Sequence, residues 1–338
     1  MNIFKTLREK HPNEMVLFII CLILFVVMAI MSPDVFLTGA NMRNLMAQMP
    51  EFGLMAFAMM AAVLTGGMNL SIITGASLAA IIASSAIKGE WMQAHPGVGT
   101  LVGVLIVIGF SILTGILNGW LIGYIGIVAM LVTLGTRMIF EGLGLVITKG
   151  NSIGIRQEPY LNIAQVRVGP IPLPMIIYIV MIILTYYMLE RSKWGHQVYM
   201  IGDNEVATRF SGVNTKRTIM LVYVFSGLMY GISSVLITSR VCSAKTDYGT
   251  SYLMNAVTAV VMGGTDITGG SGTVAGTVLA VLILQILSNG FTVFRLDQNL
   301  VNIFTGCILI LVLGIRYLTG VIIDRKKIKA RQAAAMVK

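Results

Sequence analysis

Ten long apolar runs are the feature that most constrains how this chain folds. Most of them approach the roughly twenty residues that an α-helix needs to cross the hydrocarbon core of a bilayer. Lipid offers the backbone no hydrogen-bond partner, so such segments cross as helices. The sequence therefore predicts an all-α polytopic membrane protein of about ten transmembrane helices, forming one transmembrane domain over residues 1–338. The predicted spans are 15–32, 44–66, 70–88, 98–122, 127–148, 171–189, 218–239, 252–263, 273–291 and 298–318.

The composition supports this class, with 56% hydrophobic residues, 11% charged residues and 36 glycines. Small residues let helix backbones approach each other in lipid, where no hydrophobic force brings them together. Glycines four residues apart form several ridges, which we expect to be helix-packing faces. The ridges are Gly115–Gly119–Gly123, Gly227–Gly231 and Gly272–Gly276.

Several kinds of chemistry are not indicated. The three cysteines are scattered along the chain and the three histidines fall in separate loops, so we expect no disulfide framework and no metal site. The sequence contains no Gly-x-x-x-x-Gly-Lys-Ser/Thr motif for nucleotide phosphates and no nucleophile with a neighbouring base. We therefore expect no enzyme activity and no cofactor.

The distribution of Lys and Arg predicts the orientation. These residues concentrate before residue 15, between 190 and 217, and after 318. The positive-inside rule then places both termini and the 190–217 segment in the cytoplasm. The first run lacks a convincing cleavage site and is expected to stay as a membrane helix. The net charge of +10 is explained by this topology and by anionic membrane lipid, without nucleic acid.

A polar island, residues 195–213, separates two apolar runs. Val206, Phe210 and Val213 follow helical spacing within it, with Asp203, Glu205 and Arg209 around them. This pattern predicts a short amphipathic helix at the membrane surface that docks into a partner. The alternative is an ordinary loop between helices.

Two glycine motifs repeat along the chain, which suggests a weak internal repeat. Gly66-Gly67-x-Asn69-x-Ser71 aligns with Gly263-Gly264-x-Asp266-x-Thr268. Glycine motifs of this kind interrupt helices, and helix interruptions at matching places in two repeats often border the substrate path of a transporter. We therefore expect the eight named residues to line the path. The span count gives both motifs the same orientation, hence a parallel repeat; an inverted repeat would require one short span to be re-entrant.

The run 252–263 is too short to cross the hydrocarbon unaided. Either its helix begins near Ser243, or the glycine-rich segment 263–272 lies at membrane depth, shielded by protein; we favour the second. Asn255 in this run is an amide suited to hydroxyl groups and is included in the expected path. Other amide side chains that fall inside predicted membrane spans are Asn118, Gln285, Asn289 and Asn302.

Arg137 and Glu141 are ionisable residues inside a predicted span. They lie four residues apart, share a helix face and can form an ion pair. Such residues mark functional sites by default, but we favour a buried pair that fixes helix packing.

Two further segments carry a family resemblance. They are Gly202-x-Asn204-x-x-Ala207-x-x-x-Ser211-Gly212 and residues 238–264, which lead into Gly269-Gly270-Ser271-Gly272. Through them the chain resembles the simple-sugar permeases, the ribose-type branch of bacterial ABC importers that includes autoinducer-2 and rhamnose-like members. The similarity extends from about residue 40 to 318. One departure is Asn69, which stands where the family usually has an acidic residue.

This resemblance implies a permease subunit in the bacterial inner membrane that moves a small sugar-like solute by alternating access. Its partners would be a separate ABC ATPase, a periplasmic or lipid-anchored binding protein that meets loops 149–170 and 240–251, and a second permease copy or paralogue. The ATPase would be engaged by Gly202, Asn204, Ala207, Arg209, Ser211 and Gly212. The alternatives are an ion-coupled secondary transporter that uses Arg137 and Glu141, and a membrane-embedded enzyme.

Overall fold

The structure is a computed structural model that describes residues 12–294 and six isolated residues between 300 and 314. Within the described part, seven helices are long and apolar enough to cross a membrane, and two shorter apolar helices accompany them. Each of the first nine predicted spans coincides with one of these helices. The tenth, 298–318, lies outside the described residues except for those six positions. The predicted all-α class is confirmed.

In the described part of the chain, ten helices carry the fold and four very short strands form two pairs. Helix α7 is the polar island, and the other nine helices are the apolar ones. The helices are α1 Pro12–Met31, α2 Gly39–Leu64, α3 Ile72–Ala86, α4 Pro96–Trp120, α5 Ala129–Thr148, α6 Leu173–Tyr186, α7 Lys193–Phe210, α8 Thr215–Val241, α9 Thr250–Met262 and α10 Val274–Val293. Short helices cover Pro33–Phe36, Glu90–Ala94 and Glu158–Gln165, and π-helical turns cover Leu121–Ile125 and Tyr187–Arg191. The strands are β1 Ile153–Gly154, β2 Arg167–Val168, β3 Ile171–Pro172 and β4 Ser243–Ala244.

The core is built around α2 and α8, whose membrane-length windows are 89% and 72% buried. Helix α8 packs on α4 with the two backbones in contact. A Cβ added to Gly119 would lie 2.8 Å from Met220 Cα, and one on Gly123 would lie 2.6 Å from Lys216 O. From the other side, a Cβ added to Gly227 of α8 would lie 2.5 Å from Ser111 O on α4. The predicted role of the glycine ridges as packing faces is therefore confirmed for α4 and α8.

Two helices are too short to span the bilayer alone. Helix α3 has 15 residues and α9 has 13, which correspond to about 22 and 20 Å. Helix α9 begins at Thr250, after strand β4 and a turn. The alternative that this helix begins near Ser243 is therefore wrong. Placement of the glycine-rich segment at membrane depth stays a prediction.

At the end of the bundle opposite α7, the connections pack on one another. Strand β1 pairs with β4 in antiparallel register, which joins segment 149–170 to segment 240–251. The side chain of Gln157 donates to the carbonyls of Ile87 and Met92 at 3.2 and 3.3 Å. The two segments that the sequence predicted to receive a binding protein are thus joined to each other by this strand pair.

Candidate functional site

The two glycine motifs begin with the same turn at the end of a helix. We name residues 65–71 the first glycine loop and residues 263–273 the second glycine loop. Gly66 and Gly67 donate back to the last turn of α2 at 2.9 and 3.2 Å, and Gly264 and Thr265 donate likewise to α9, both at 3.1 Å. This is the Schellman arrangement, which requires a left-handed residue. Gly66 (φ 76°) and Gly264 (φ 104°) provide it without the strain of a side chain.

Each loop then forms the same side-chain turn before the next helix. The Oδ1 atom of Asn69 accepts from Ser71 N at 3.2 Å and from Ser71 Oγ at 2.8 Å. The Oδ1 atom of Asp266 accepts from Thr268 N at 3.0 Å and from Thr268 Oγ1 at 2.9 Å. An amide and a carboxylate can both fill this role because only an acceptor oxygen is needed. The sequence repeat is therefore a local structural repeat.

The alignment of the motifs needs a correction of one residue. The left-handed turn equates Gly66 with Gly264, whereas the sequence pattern paired Gly66 with Gly263. The first loop has one extra residue between its left-handed glycine and its Asx turn. Gly263 instead precedes the left-handed position and packs on α10, where an added Cβ would lie 2.6 Å from Thr277 Cα.

The surroundings of the two loops differ sharply. Asn69 and Ser71 are both 0% exposed. Asn69 Nδ2 donates to Ser226 Oγ on α8, and Asn118 Nδ2 on α4 donates to Ser71 Oγ, each at 2.9 Å. In this conformation the pair is packed between helices and does not line a path. Their counterparts in the second loop, Asp266 and Thr268, are exposed.

Helix α7 has a break that the sequence pattern did not predict. Asn204 has extended backbone angles (φ −162°, ψ 103°) inside the helix. Its Oδ1 atom accepts from Ala207 N at 2.9 Å, so Asn204 caps a second helical segment. That segment ends at Phe210 with Ser211 as its C-cap, and Gly212 (φ 84°) follows in the left-handed conformation. The expected continuous helix over 195–213 is thus two short helices that end by Phe210.

The apolar residues of the second segment are exposed in the described part of the chain. Val206 is 61% exposed and Phe210 is 88% exposed, one helical turn apart. On the same segment, Arg209 and Glu205 form a surface ion pair at 3.3 Å. We name Val206 and Phe210 the α7 patch.

The first segment of α7 touches both glycine loops. A Cβ added to Gly202 would overlap Leu64 O at the end of α2 and Gly270 N in the second loop. Gly270 N also donates to Leu64 O at 3.0 Å, which ties the two loops together. A Cβ on Gly269 would lie 2.7 Å from Gly66 N. We name this backbone contact, in which only glycines fit, the glycine junction.

Two side chains reinforce the junction. Tyr199 of α7 donates from its hydroxyl to Gly272 O at 3.0 Å, and burial raises the pKa of this phenol, which keeps the donor protonated. Just before α7, Glu190 Oε1 accepts from Val274 N at 2.8 Å. A carboxylate at a helix N-terminus is favourable because the first amides there lack partners. The α7 region is therefore bonded directly to the start of α10.

A cavity of about 440 Å³ opens beside the junction. Gly66 and Gly67 line it together with the 122–129 segment, and charged side chains at its rim come from Glu205, Arg209 and Lys216. Of the residues predicted to border the path, these two glycines do face a cavity. Asn255 is half-buried on α9, away from it.

Arg137 and Glu141 line a different cavity, at the opposite end of the bundle. Ion pairs among the described residues join Arg209 with Glu205, Arg240 with Glu51, and Lys245 with Asp247. Glu141 is exposed and Arg137 is half-buried, so the expected buried pair is not present in this structure. The physical reason is geometric: this face of α5 opens onto a space and not onto a packed helix.

The buried ion pair of the described residues is one that the sequence reading missed. Glu51 on α2 is 1% exposed and receives two hydrogen bonds from Arg240 at the end of α8, one of them Nη2 to Oε2 at 2.8 Å. Tyr252 on α9 adds a third at 3.5 Å. A signal was present, because Glu51 is an acidic residue within a predicted span. Arg240 was instead counted as a loop residue.

Comparisons with known proteins agree with this architecture. A family model described as the permease component of branched-chain amino acid transport systems matches residues 41–313. The ribose import permease protein RbsC of Bacillus subtilis is 33% identical over 307 residues, 90% of each chain. The autoinducer 2 import system permease protein LsrD of Yersinia enterocolitica is 32% identical over 266 residues, 77% of this chain and 78% of the relative. No solved structure matches the chain.

The family model covers both glycine loops, α7 and the helices that hold them. The comparisons also show that the chain is a transport subunit and not an enzyme. The chain is therefore a multi-pass membrane protein that belongs to the ribose-type family of ABC importer permeases.

Proposed function

We propose that this permease carries a sugar or a similarly small polyhydroxylated solute across the bacterial inner membrane, driven by a separate ATPase subunit. The substrate class is supported by the relatives, whose names specify ribose and autoinducer 2. The description of the family model names branched-chain amino acids, which are the second candidate class. An ion-coupled secondary transporter is not favoured, because these relatives are named as import permeases.

The observation that carries the mechanism is the position of α7 between a free surface and the glycine junction. Its second segment presents the α7 patch, while its first segment contacts both glycine loops. We infer that the ATPase docks on the patch and on the polar residues around it. Interfaces between packed elements are bistable and not continuously deformable, so a small shift of α7 can become a discrete rearrangement of the helices.

The glycine junction suits this task because it is made of backbone. A contact between side chains can be relaxed by a rotamer change, whereas Gly202 against Leu64 O and Gly270 leaves no such freedom. Movement of α7 would thus reach α3 and α10, the helices that follow the two loops. This is the step we propose for alternating access.

The orientation and the remaining partners follow from the same scheme. The α7 end and both termini would be cytoplasmic. The joined outer segments held by β1 and β4 would receive a periplasmic or lipid-anchored binding protein. A second permease, identical or related, would complete the translocation unit.

The test separates docking from transmission with two variants. Phe210→Asp should lose association with the ATPase, because it places a charge on an exposed apolar contact without touching the fold. Gly202→Ala should keep the association but lose transport, because the added Cβ separates α7 from the loops. Co-purification of the ATPase and uptake of labelled solute, in cells that co-express a candidate ABC ATPase and a candidate binding protein, provide the two readouts.

Gly135→Ala on α5 is the matched control, since nothing lies within 4 Å of its added Cβ. The uptake panel should contain D-ribose, L-rhamnose, autoinducer 2 and L-leucine. Uptake of L-leucine alone would replace the sugar class with the amino acid class. Normal ATPase association and transport by Phe210→Asp would refute the docking assignment.

A further inference from the structure

A cavity of about 250 Å³ lies at the end of the bundle opposite α7. We name it the outer cavity. Six polar side chains line it: Thr74, Arg137, Glu141, Lys245, Thr246 and Asp247. They come from α3, from α5 and from the connection that follows strand β4. The cavity therefore joins two membrane helices to the outer surface.

The charges around the outer cavity are balanced. Arg137 and Glu141 lie one turn apart on α5, and Lys245 pairs with Asp247 at 2.8 Å on the connection. Two cationic and two anionic groups thus face one space. Arg137 and Glu141 make no ion pair with any described residue. Charged groups in a membrane helix are costly to place in lipid and normally face a polar space. The wall of a cavity is therefore a favourable position for Arg137 and Glu141.

The depth of the cavity links it to the first glycine loop. Thr74 lies in the first turn of α3, directly after that loop, and its hydroxyl donates to Ser71 O at 3.3 Å. Lys245 and Asp247 lie at the outer surface. The cavity thus extends from the surface toward the buried Asn69–Ser71 turn.

A much smaller space lies beside the outer cavity. Lys245 also borders a second space of about 10 Å³ between α3 and α8, which has room for no more than about one water molecule.

We propose that the outer cavity is the entrance to the translocation path and binds a neutral polyhydroxylated solute. This inference rests on the proposed transport function and deepens it. A hydroxyl both donates and accepts, so it can bond to a carboxylate and a guanidinium placed side by side, and such charge-assisted bonds are the strong ones. The zero sum of the four charges favours neither an anion nor a cation. The volume is below the roughly 300–1,000 Å³ of drug-sized pockets, which suits a solute as small as a monosaccharide.

The first arm of the test asks whether Glu141 faces water or lipid. In a chain with Cys21, Cys242 and Cys307 replaced by Ser, Glu141→Cys should react with a membrane-impermeant methanethiosulfonate applied to intact cells. Met138→Cys is the matched control, because Met138 is exposed on the same helix but does not line the cavity. It should stay unreactive. Equal, slow reaction at both positions would mean that Glu141 faces lipid and would overturn the proposal.

The second arm measures binding in transport. Glu141→Gln and Arg137→Gln should each raise the KM for uptake of D-ribose by about tenfold or more, the usual loss for a charge-assisted hydrogen bond. The maximal rate, the ATPase activity and the affinity of the binding protein should stay near wild type, whereas a merely structural role would lower the rate. Met138→Leu should leave KM unchanged.

Failure of the proposed transport function and failure of the outer-cavity proposal give different results. If wild-type cells take up none of the panel, the proposed function fails, and the thiol arm still decides whether the cavity is open to water. If they take up another panel sugar, that sugar replaces D-ribose in the KM measurement. Uptake with an unchanged KM in both charge variants would overturn the binding role of the cavity while leaving the transport function intact.

Discussion

At the scale of single residues, the charge that matters for packing is Glu51. It lies in the most buried helix, directly after Pro50, and Arg240 reaches it from the end of α8. A buried carboxylate without a partner is strongly unfavourable, whereas the paired group is tolerated. The Glu51–Arg240 pair therefore holds the middle of α2 against the last turn of α8, a role that the sequence reading had given to Arg137 and Glu141.

This pair predicts unequal single variants. Arg240→Gln should destabilise the protein by about 3–5 kcal/mol, because it leaves a carboxylate that is 1% exposed without its partner. Glu51→Gln should cost less, since Arg240 retains 34% exposure and can reach water. The double variant should recover most of the loss. Thermal unfolding of the detergent-purified protein measures all three, and equal losses in the two single variants would contradict this account.

At the scale of elements, the contact between α4 and α8 depends on glycine. Helices in lipid gain little from burying apolar surface against each other, so close approach of their backbones supplies the packing energy. Gly115 and Gly227 face each other's helices with backbone atoms as neighbours. The same principle, applied at the α7 end, makes the glycine junction.

A pair of matched substitutions in α4 tests this packing. Gly115→Ala should lower the stability by about 1–3 kcal/mol, because its Cβ would overlap Tyr223 O on α8. Gly109→Ala lies on the same helix with nothing within 4 Å, so it should be neutral or slightly stabilising through helix propensity. Thermal unfolding compares them directly. If Gly109→Ala lowered the stability as much as Gly115→Ala, the loss would come from replacing a glycine within α4 and not from the contact with α8.

At the scale of the whole molecule, the two glycine loops lie at the same end and share α7, yet the Asx turn of the first loop is buried and that of the second is exposed. The first loop is held by α4 and α8 through Asn118 and Ser226. The second loop presents its Asx turn to the surface. The structure therefore represents a conformation in which the Asn69–Ser71 turn is closed off from water, while Gly66 and Gly67 face the cavity at the α7 end.

This difference predicts how the loops respond to thiol reagents in the cysteine-free background. Thr268→Cys should react in the absence of ATP, whereas Ser71→Cys should be protected by its burial. Trapping ATP in the partner ATPase should change the reactivity of Ser71→Cys if α4 and α8 move relative to the loop. Equal reactivity of both positions without ATP would contradict the closed conformation.

Much of this molecule follows from its sequence alone. The positions of the first nine spans and the repeat of the glycine motifs can both be read from local patterns. Hydrophobic length and glycine turn chemistry act over a few residues, so the sequence contains them directly. The family resemblance also follows from local segments.

Only the tertiary structure decided what those segments touch. Asn69 and Asp266 make the same turn, but burial against α4 and α8 separates their roles. Arg137 was expected to be packed and instead lines a cavity, while Arg240 was assigned to a loop and instead pairs with Glu51. The break at Asn204 and the contact of Gly202 with Gly270 were equally unpredicted. Such outcomes depend on which helices pack together, and contacts between residues nearly 200 positions apart leave no periodic signal in a single sequence.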